Sequence, residues 1–325
     1  MKNVCIVGYG SIGVIHEYAL SCAKNARLYA VCDIDVDKLK SAPDNLVKYS
    51  NFEQVLYDAN IDCIHICSPH YLHFDMAKNA LEHGKFVVLE KPAVMRKEEL
   101  EKLLHLDGKE NIAMVFQNRL NPCAVKLKKM INDGSLGRVI SAKVVLTWHR
   151  DADYYARDYW RGKLSTEGGG VMINQAIHTL DLIGYVTGDF KSAKARIMNF
   201  SIPEIEVEDT CCAYLKLENG VNCILFVTNA YGCDDNPEIE IVTEKSKILY
   251  SAEKLTVDGN VVEQDISPKI GKECWGSGHK KLIENLYDRN IYFGTDDIKN
   301  TMYALFAIYE SAEKSGTEIS IPCFR

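Results

Sequence analysis

The sequence predicts an α/β protein in two parts: an N-terminal doubly wound parallel sheet, then a C-terminal α/β domain with a large, mostly antiparallel open sheet. The first part is indicated by near-continuous apolar runs separated by segments of helical periodicity, because strands covered on both faces are apolar throughout. The second part is indicated by runs that alternate apolar and polar residues. We place the boundary between the two parts after residue 118, so that the first domain covers 1–118 and the second covers 119–325.

Five apolar runs predict the strands of the first sheet. They are Asn3–Gly8, Leu28–Asp33, Asp62–Cys67, Phe86–Leu89 and Ile112–Phe116. Apolar residues recur at helical spacing directly after the first run, and a helix over 74–83 stops at Gly84, a usual C-terminal helix signal. This order of strands and helices is typical of a parallel sheet.

The second part begins with a helix near 122–132 and continues with alternating runs. These runs cover 139–149, 191–200, 210–217, 221–229 and 237–250. Asn219-Gly220 and Asp258-Gly259 are strong hairpin signals, and two helices near 278–289 and 296–314 close the chain. We expect helices on one side of this sheet and a second subunit on the other.

Composition excludes several classes of function. The net charge of −7 without a basic patch argues against nucleic acid, and no apolar run approaches the roughly 20 residues that span a bilayer. The 12 cysteines are scattered, and no signal peptide is evident, so we expect free thiols in the cytoplasm. Cys63, His65 and Cys67 share one face of a strand, but no second ligand pair has zinc spacing, so we predict no metal.

A glycine motif follows the first predicted strand and opens a helix. Its residues are Gly8-Tyr9-Gly10-Ser11-Ile12-Gly13, which match G-x-G-x-x-G. Gly8 permits a tight turn, Gly10 lets the backbone approach a pyrophosphate, and Gly13 allows close packing of helix and strand. The free N–H groups at the helix N-terminus favour phosphate binding. A tight βα turn without a ligand is the simpler alternative.

Asp33 strengthens the prediction of a dinucleotide site. It ends the second strand, about 20 residues after the glycine motif, where a carboxylate accepts hydrogen bonds from the ribose hydroxyls of NAD. The same carboxylate repels the 2′-phosphate of NADP, and neither Ile34 nor Asp35 after it is an arginine. We therefore expect NAD, with NADP less favoured.

Three later segments complete a family resemblance. They are Ile64–His73 (IHICSPHYLH), Val88–Pro92 (VLEKP) and Glu167–Asp181 (EGGGVMINQAIHTLD). Together with the glycine motif, they resemble the glucose–fructose oxidoreductase and inositol dehydrogenase family, in the family's order and spacing over nearly the whole chain. The resemblance implies a Rossmann domain followed by an α/β domain, in a homodimer or homotetramer joined through the C-terminal sheet.

The resemblance also implies an activity. Family members transfer a hydride between nicotinamide and a secondary alcohol or ketone of sugars, inositols and nucleotide sugars. Two alternatives stay open: an NAD-retaining glycosidase or lyase that oxidises its sugar transiently, and a non-catalytic NAD-sensing protein.

Site residues follow from matching positions in the family motifs. The cofactor-binding residues are Gly8, Tyr9, Gly10, Ser11, Ile12, Gly13, Asp33, Ile34, Ser68, Pro69, His70, His73, Glu90, Lys91, Trp160 and Arg161. The substrate-binding residues are Lys91, Arg119, Tyr155, Asn174 and His178, of which Lys91, Asn174 and His178 are the catalytic candidates. Glu273, Trp275 and His279 lie in a glycine-containing segment near the predicted cleft, and we assign them no role.

Alcohol oxidation needs a base and a group that stabilises the developing negative charge on oxygen. Lys91 is suited to stabilise this negative charge, because it follows the carboxyl end of a predicted strand, where ligands gather in doubly wound sheets. His178 is suited to act as the base that takes the hydroxyl proton. A solvated lysine and a core histidine are the structural alternatives.

Asn174 departs from the family pattern. It lies four residues before His178 and shares its helix face, but many members carry aspartate there. An aspartate fixes the imidazole tautomer and stabilises the imidazolium, whereas an asparagine can only orient the ring. Either Asp181 or a substrate group compensates, or Lys91 carries more of the proton transfer.

Overall fold

Two units make up the chain in the computed structural model, which describes residues 1–267 and 277–324. The first unit contains Met1–Val94, Glu98–Gln117 and Gly278–Ile298, and the second contains Met95–Lys97, Asn118–Ser277 and Lys299–Arg325. The predicted second domain covers 119–325, whereas the segment 278–298 belongs to the first unit. Glu273 and Trp275 lie outside the described residues.

Six parallel strands form the sheet in the described part of the first unit. They are β1 (Lys2–Val7), β2 (Ala26–Cys32), β3 (Val47–Tyr49), β4 (Cys63–Ile66), β5 (Phe86–Leu89) and β6 (Ile112–Met114). Their order is β3-β2-β1-β4-β5-β6, so the direction of winding reverses between β1 and β4. Ligands of such sheets bind beyond the carboxyl ends of the strands at this reversal. The predicted parallel sheet is confirmed.

Helices connect these strands in turn. They are α1 (Ser11–Cys22), α2 (Val36–Ser41), α3 (Phe52–Tyr57), α4 (His73–Glu82) and α5 (Lys97–Leu104), and α9 (Gly278–Arg289) joins them from the end of the chain. α9 packs on α1. The Asp288 carboxylate in α9 accepts the backbone N–H groups of Lys24 and Asn25 at 3.0 Å, which fixes α9 to the loop after α1.

Nine strands form the sheet of the second unit, counted over the residues with described placement. They are β7 (Val139–Thr147), β8 (Phe190–Met198), β9 (Thr210–Leu217), β10 (Asn222–Thr228), β11 (Glu238–Thr243), β12 (Lys247–Tyr250), β13 (Lys254–Val257), β14 (Asn260–Gln264) and β15 (Ile319–Ser320). Their order is β14-β13-β12-β11-β7-β10-β9-β8-β15, and only the β7–β10 pair is parallel. The mostly antiparallel sheet is therefore confirmed.

Both predicted hairpin turns are present. Asp258 and Gly259 join β13 to β14 with φ values of +50° and +80°, as a two-residue turn of the primed type requires. Gly220 has a φ of +86° between β9 and β10. The predicted run 237–250 is divided into β11 and β12, because the N–H of Thr243 donates to the carbonyl of Ser246 across a turn.

Four further helices belong wholly or mostly to the second unit. They are α6 (Pro122–Asn132), α7 (Ala152–Ala156), α8 (Ile177–Thr187) and α10 (Thr295–Glu313), of which α10 begins in the first unit. α6 packs on β12, β13, β14 and α8. Over residues 1–267 and 277–324, no helix combines the length and the apolar character needed to cross a bilayer.

Candidate active site

The turn between β1 and α1 can be built only with glycine at two positions. Gly8 has a φ of +92°, and a Cβ there would lie 2.5 Å from the carbonyl oxygen of Cys67. A Cβ on Gly13 would lie 2.5 Å from the carbonyl oxygen of Gly8. Real Cβ atoms do not approach so closely, so these two glycines have the turn and packing roles predicted for them.

The N-terminus of α1 fits a phosphate group. Gly10 is the N-cap, no side chain caps the helix, and the first turn, which includes Ser11 and Ile12, contains no acidic residue. A Cβ on Gly10 would meet only the Lys38 Nζ atom, at 3.9 Å, so the backbone there is open to a ligand. Free N–H groups with a positive helix end favour a pyrophosphate.

Asp33 is held firmly beside the glycine turn. Its Oδ2 accepts the N–H of Tyr9 at 2.8 Å and its Oδ1 accepts the N–H of Asp35 at 2.9 Å. Each carboxylate oxygen keeps a second lone pair for a ribose hydroxyl. Ile34 is 77% exposed next to it, an apolar surface at the end of β2. Lys38 lies 3.9 Å from Asp33 Oδ2.

His73 joins two of the segments that the sequence assigned to the cofactor. Its Nδ1 lies 2.7 Å from the carbonyl oxygen of Pro92, and its Nε2 lies 2.9 Å from that of Ser68. Pro69 precedes a 3-10 turn that carries His70, which is also buried. His73 thus orients the loops after β4 and β5, a structural role that the sequence did not distinguish from direct binding.

Glu90 and Lys91 lie at the carboxyl end of β5. Glu90 is 4% exposed, its Oε2 accepts the N–H of Lys91 at 3.1 Å, and its Oε1 lies 3.0 Å from Nε2 of His16. Burial raises the pKa of Glu90, but the hydrogen bond and charge interaction with His16 outweigh it and lower the pKa to about 2. A buried carboxylate therefore fixes the backbone of Lys91, whose side chain is half-buried.

A chain of buried hydrogen bonds extends from Glu90. Nδ1 of His16 lies 2.8 Å from Nδ1 of His65, Nε2 of His65 lies 2.7 Å from the Tyr287 hydroxyl, and that hydroxyl lies 3.0 Å from the Cys63 sulfur. Because the carboxylate only accepts, the Nε2 atom of His16 that faces Glu90 carries a proton. The sequence analysis did not predict this chain, and in the described residues no three His, Cys, Asp or Glu side chains gather as metal ligands.

In the second unit, Glu208 fixes the start of the segment that carries Asn174 and His178. Its carboxylate accepts the N–H groups of Gly170 at 2.8 Å and Met172 at 3.0 Å. A Cβ on Gly170 would lie 1.8 Å from the Glu208 carbonyl oxygen, so only glycine fits. Met172–Ala176 then forms a π-helical segment before α8, a geometry frequent at functional sites.

Asn174 contacts a carboxylate that the sequence analysis did not single out. Its Nδ2 donates to Oε1 of Glu167 at 2.5 Å, and the N–H of Gly162 donates to Oε2 at 2.5 Å. Glu167 is 1% exposed, and burial raises its pKa to about 7 although both hydrogen bonds lower it. His178 is half-buried in the first turn of α8, four residues after Asn174.

Asp181 and Arg119 form an ion pair inside the second unit. Nε and Nη2 of Arg119 donate to the two Asp181 oxygens at 2.8 and 2.6 Å, and Thr301 donates to Oδ1 at 2.9 Å. Both charged residues are buried, and the guanidinium also lies over the Tyr185 ring. Asp181 was one of the groups expected to compensate for Asn174, and Arg119 was a substrate candidate. In the structure the two residues are partners of each other, and both roles remain predictions.

Arg161 is held by its neighbours in the aromatic segment. It donates to Asp158 at 2.8 Å and to the Tyr154 hydroxyl at 2.6 Å, and its guanidinium lies 4.4 Å from the Trp160 ring centre. Tyr155 is 7% exposed. These residues form an ordered cation–π cluster, and most of Tyr155 is core.

Two models of one family match the chain. The model described as oxidoreductase family, NAD-binding Rossmann fold, matches residues 2–117, and the GFO/IDH/MocA C-terminal domain matches residues 124–249. Together the two matches cover most of the chain, and each falls on one of the two sheets described above.

Curated proteins and a solved structure agree with these matches. The chain is 29% identical to the uncharacterized oxidoreductase YrbE of Bacillus subtilis, over 72% of the chain and 70% of that protein. It is 24% identical to the myo-inositol 2-dehydrogenase of Thermotoga maritima, over 76% of the chain and 74% of that protein. The WlbA dehydrogenase from Bordetella pertussis, solved with NADH and UDP-GlcNAcA, superposes with a TM-score of 0.86 at 26% identity, over 99% of each chain. The protein is therefore an oxidoreductase that belongs to the glucose–fructose oxidoreductase and inositol dehydrogenase (Gfo/Idh/MocA) family.

Proposed function

We propose that this protein is an NAD-dependent dehydrogenase or reductase that acts on a secondary alcohol or ketone of a sugar, polyol or sugar derivative. The observation that carries the proposal is the end of β5, where buried Glu90 fixes the backbone of Lys91 at the carboxyl edge of a dinucleotide-binding sheet. The names of the inositol dehydrogenase and of WlbA with its bound nucleotide sugar support the substrate class.

NAD is the proposed cofactor because of the residues around the glycine turn. The open backbone at Gly10 admits the pyrophosphate, and Asp33 faces the ribose hydroxyls with a buried carboxylate. A 2′-phosphate beside that carboxylate would meet like-charge repulsion. Lys38 offsets little of this repulsion, because its side chain is 43% exposed and its charge is screened by solvent.

Lys91 and His178 are the proposed acid–base residues. The Lys91 ammonium donates a hydrogen bond to the reacting oxygen and stabilises negative charge on it, while the His178 imidazole takes the hydroxyl proton. When bound, the nicotinamide supplies the hydride acceptor or donor. Asn174, one turn before His178, orients the imidazole, and Trp160 and Arg161 contact the cofactor or substrate.

A panel of sugars, inositols and nucleotide sugars tests this function, with nicotinamide absorbance recorded for NAD and NADP in parallel. We expect reversible reduction of NAD with at least one compound, and kcat/KM at least about tenfold higher with NAD than with NADP, since a like-charge clash costs several kcal/mol. Tight NAD binding without turnover of any compound would contradict the proposal. Product release without net change in NAD would identify a glycosidase or lyase instead.

We also propose that the protein is a homodimer or homotetramer joined through the exposed face of the second sheet. Three large apolar side chains lie on this face, where they alternate with buried residues along β9 and β10. They are Tyr214, Ile224 and Phe226, with exposures of 39%, 59% and 38%. A patch of this kind marks an interaction surface.

Sedimentation velocity tests the assembly. Ile224→Asp is expected to shift the species toward the monomer, because it places a charge within the apolar patch. Ile266→Asp is the matched control, since Ile266 is 90% exposed and lies outside this sheet face. A wild-type protein that sediments as a monomer at micromolar concentration would contradict the proposal.

The cytoplasm is the proposed location. Every cysteine that the structure describes carries a free thiol, and most are buried. Thiols of this kind persist in a reducing compartment.

A further inference from the structure

Glu167 and Asn174 form a buried pair on the segment that leads into α8. Glu167 comes directly before the three glycines, and its two oxygens accept from Asn174 and from the backbone of Gly162, each at 2.5 Å. The side chain of Asn174 is therefore fixed by a carboxylate and not by solvent. Asn174 itself is 9% exposed.

The chemistry of an amide makes this contact directional. An ionised Glu167 only accepts, so Asn174 must turn its Nδ2 toward it and offer Oδ1 to its other neighbours. In a protonated Glu167 the proton lies on Oε1, because Oε2 must still accept the N–H of Gly162, and the amide turns over so that Oδ1 accepts this proton and Nδ2 faces the other way. One proton on Glu167 thus reverses what Asn174 presents.

We propose that Glu167 is a positioning residue of the active site, whose charge sets whether Asn174 offers an oxygen or an amino group toward His178. The inference rests on the proposed function, because it assigns His178 the role of base. Oδ1 of Asn174 accepts an imidazole N–H as a carboxylate would, so the ionised state of Glu167 supports the base and the protonated state opposes it.

The groups around Glu167 allow it to change charge near neutral pH. Arg161 favours the ionised form and Glu208 opposes it, while the phenols of Tyr154 and Tyr155 interact with the carboxylate but stay neutral because burial raises their pKa values. Burial of Glu167 is the largest influence, and the pKa of about 7 lies above the ordinary value of 4.5. Activity that needs the ionised form is therefore lost as pH falls below about 7.

Glu167→Gln imitates the protonated state, because the glutamine Nε2 donates to Asn174 Oδ1. We expect kcat/KM for alcohol oxidation to fall about 10- to 100-fold at pH 8, the size of effect seen when an orienting partner is removed. At pH 5.5 the wild type is itself protonated, so the ratio of wild type to variant should shrink to about threefold. A ratio that stays constant with pH would overturn the inference, because it would indicate a structural defect only.

Glu206→Gln is the matched control. Its carboxylate accepts the N–H of Leu164 at 3.0 Å, in the same loop region, but the residue is exposed. This variant should stay within about twofold of the wild type at each pH.

The double variant Glu167→Gln/Asn174→Asp moves the carboxylate to position 174, where the glutamine amide donates to it. We expect its kcat/KM to be at least about tenfold higher than that of Glu167→Gln, since an aspartate both orients the imidazole and stabilises the imidazolium. Failure of rescue in a folded double variant would overturn the inference.

A measurement without substrate separates this inference from the proposed function. In wild type labelled with ¹³C-glutamate and ¹⁵N-asparagine, the Asn174 side-chain amide signals should move with pH together with the Glu167 carboxyl carbon. An inactive wild type with coupled signals would defeat only the proposed function. Signals that titrate independently in an active enzyme would defeat only the role of Glu167, even where the variants fail to fold.

Discussion

Replacement of Lys91 by methionine is expected to lower kcat by about a thousandfold while leaving the Kd for NAD within about threefold. Methionine keeps the length of the side chain and removes only the ammonium. The bond between Glu90 and this strand end survives, because it uses the main-chain N–H of residue 91, at 3.1 Å. Steady-state kinetics on the substrate found in the panel, with NAD binding followed by fluorescence, measure both quantities.

Lys102→Met provides the control for Lys91→Met. Lys102 is an exposed residue of α5, so the same change there should leave kcat within about twofold. If Lys91→Met also retains more than about a tenth of wild-type kcat, the lysine does not stabilise the reacting oxygen.

Arg119→Met is expected to destabilise the second unit by about 3–5 kcal/mol, the usual cost of leaving one partner of a buried ion pair uncompensated. Asp181 would then keep the hydroxyl of Thr301, which donates at 2.9 Å, but no guanidinium beside its carboxylate. The free energy of unfolding in urea measures the loss. The double variant Arg119→Met/Asp181→Leu also removes the unpaired Asp181 carboxylate, so most of the lost stability should return.

Arg138→Met is the control that shows how much of the stability loss depends on burial of the ion pair, because it removes the same charge at an exposed position. Arg138 also pairs with a carboxylate, that of Glu244 at 3.2 Å, but its side chain is 79% exposed. Its replacement should cost less than about 1 kcal/mol. An Arg119→Met protein with wild-type stability and a raised KM would indicate that Arg119 binds the substrate.

Local pattern was sufficient to predict most of the fold. The helix over 122–132 and the strand over 210–217 have the predicted bounds, because both contain a full period of alternating or helical residues between clear turn signals. The strand β3 and the helices α2 and α3 were not predicted. Each has six residues or fewer, too short for periodicity to be evident.

The candidate site was only partly predictable. The glycines and Asp33 carry a motif, and the structure shows that Gly8 and Gly13 leave no room for a Cβ and that Asp33 accepts the N–H of Tyr9. The His16–His65 contact joins residues 49 positions apart, so no local pattern contains it. Asn174 was recognised as unusual, but Glu167 lies seven residues before it, across glycines with positive φ values, so helical spacing does not predict their contact.

The return of α9 to the first sheet limits how this enzyme can be recombined. Asp288 holds the loop after α1, and Tyr287 belongs to the hydrogen-bond chain that begins at Glu90. A chimera that takes residues 1–118 from one homologue and the rest from another would join α1 and His65 to a foreign α9. Modular exchange of cofactor specificity therefore requires two grafts, an N-terminal segment and the helix near the C-terminus, transferred together.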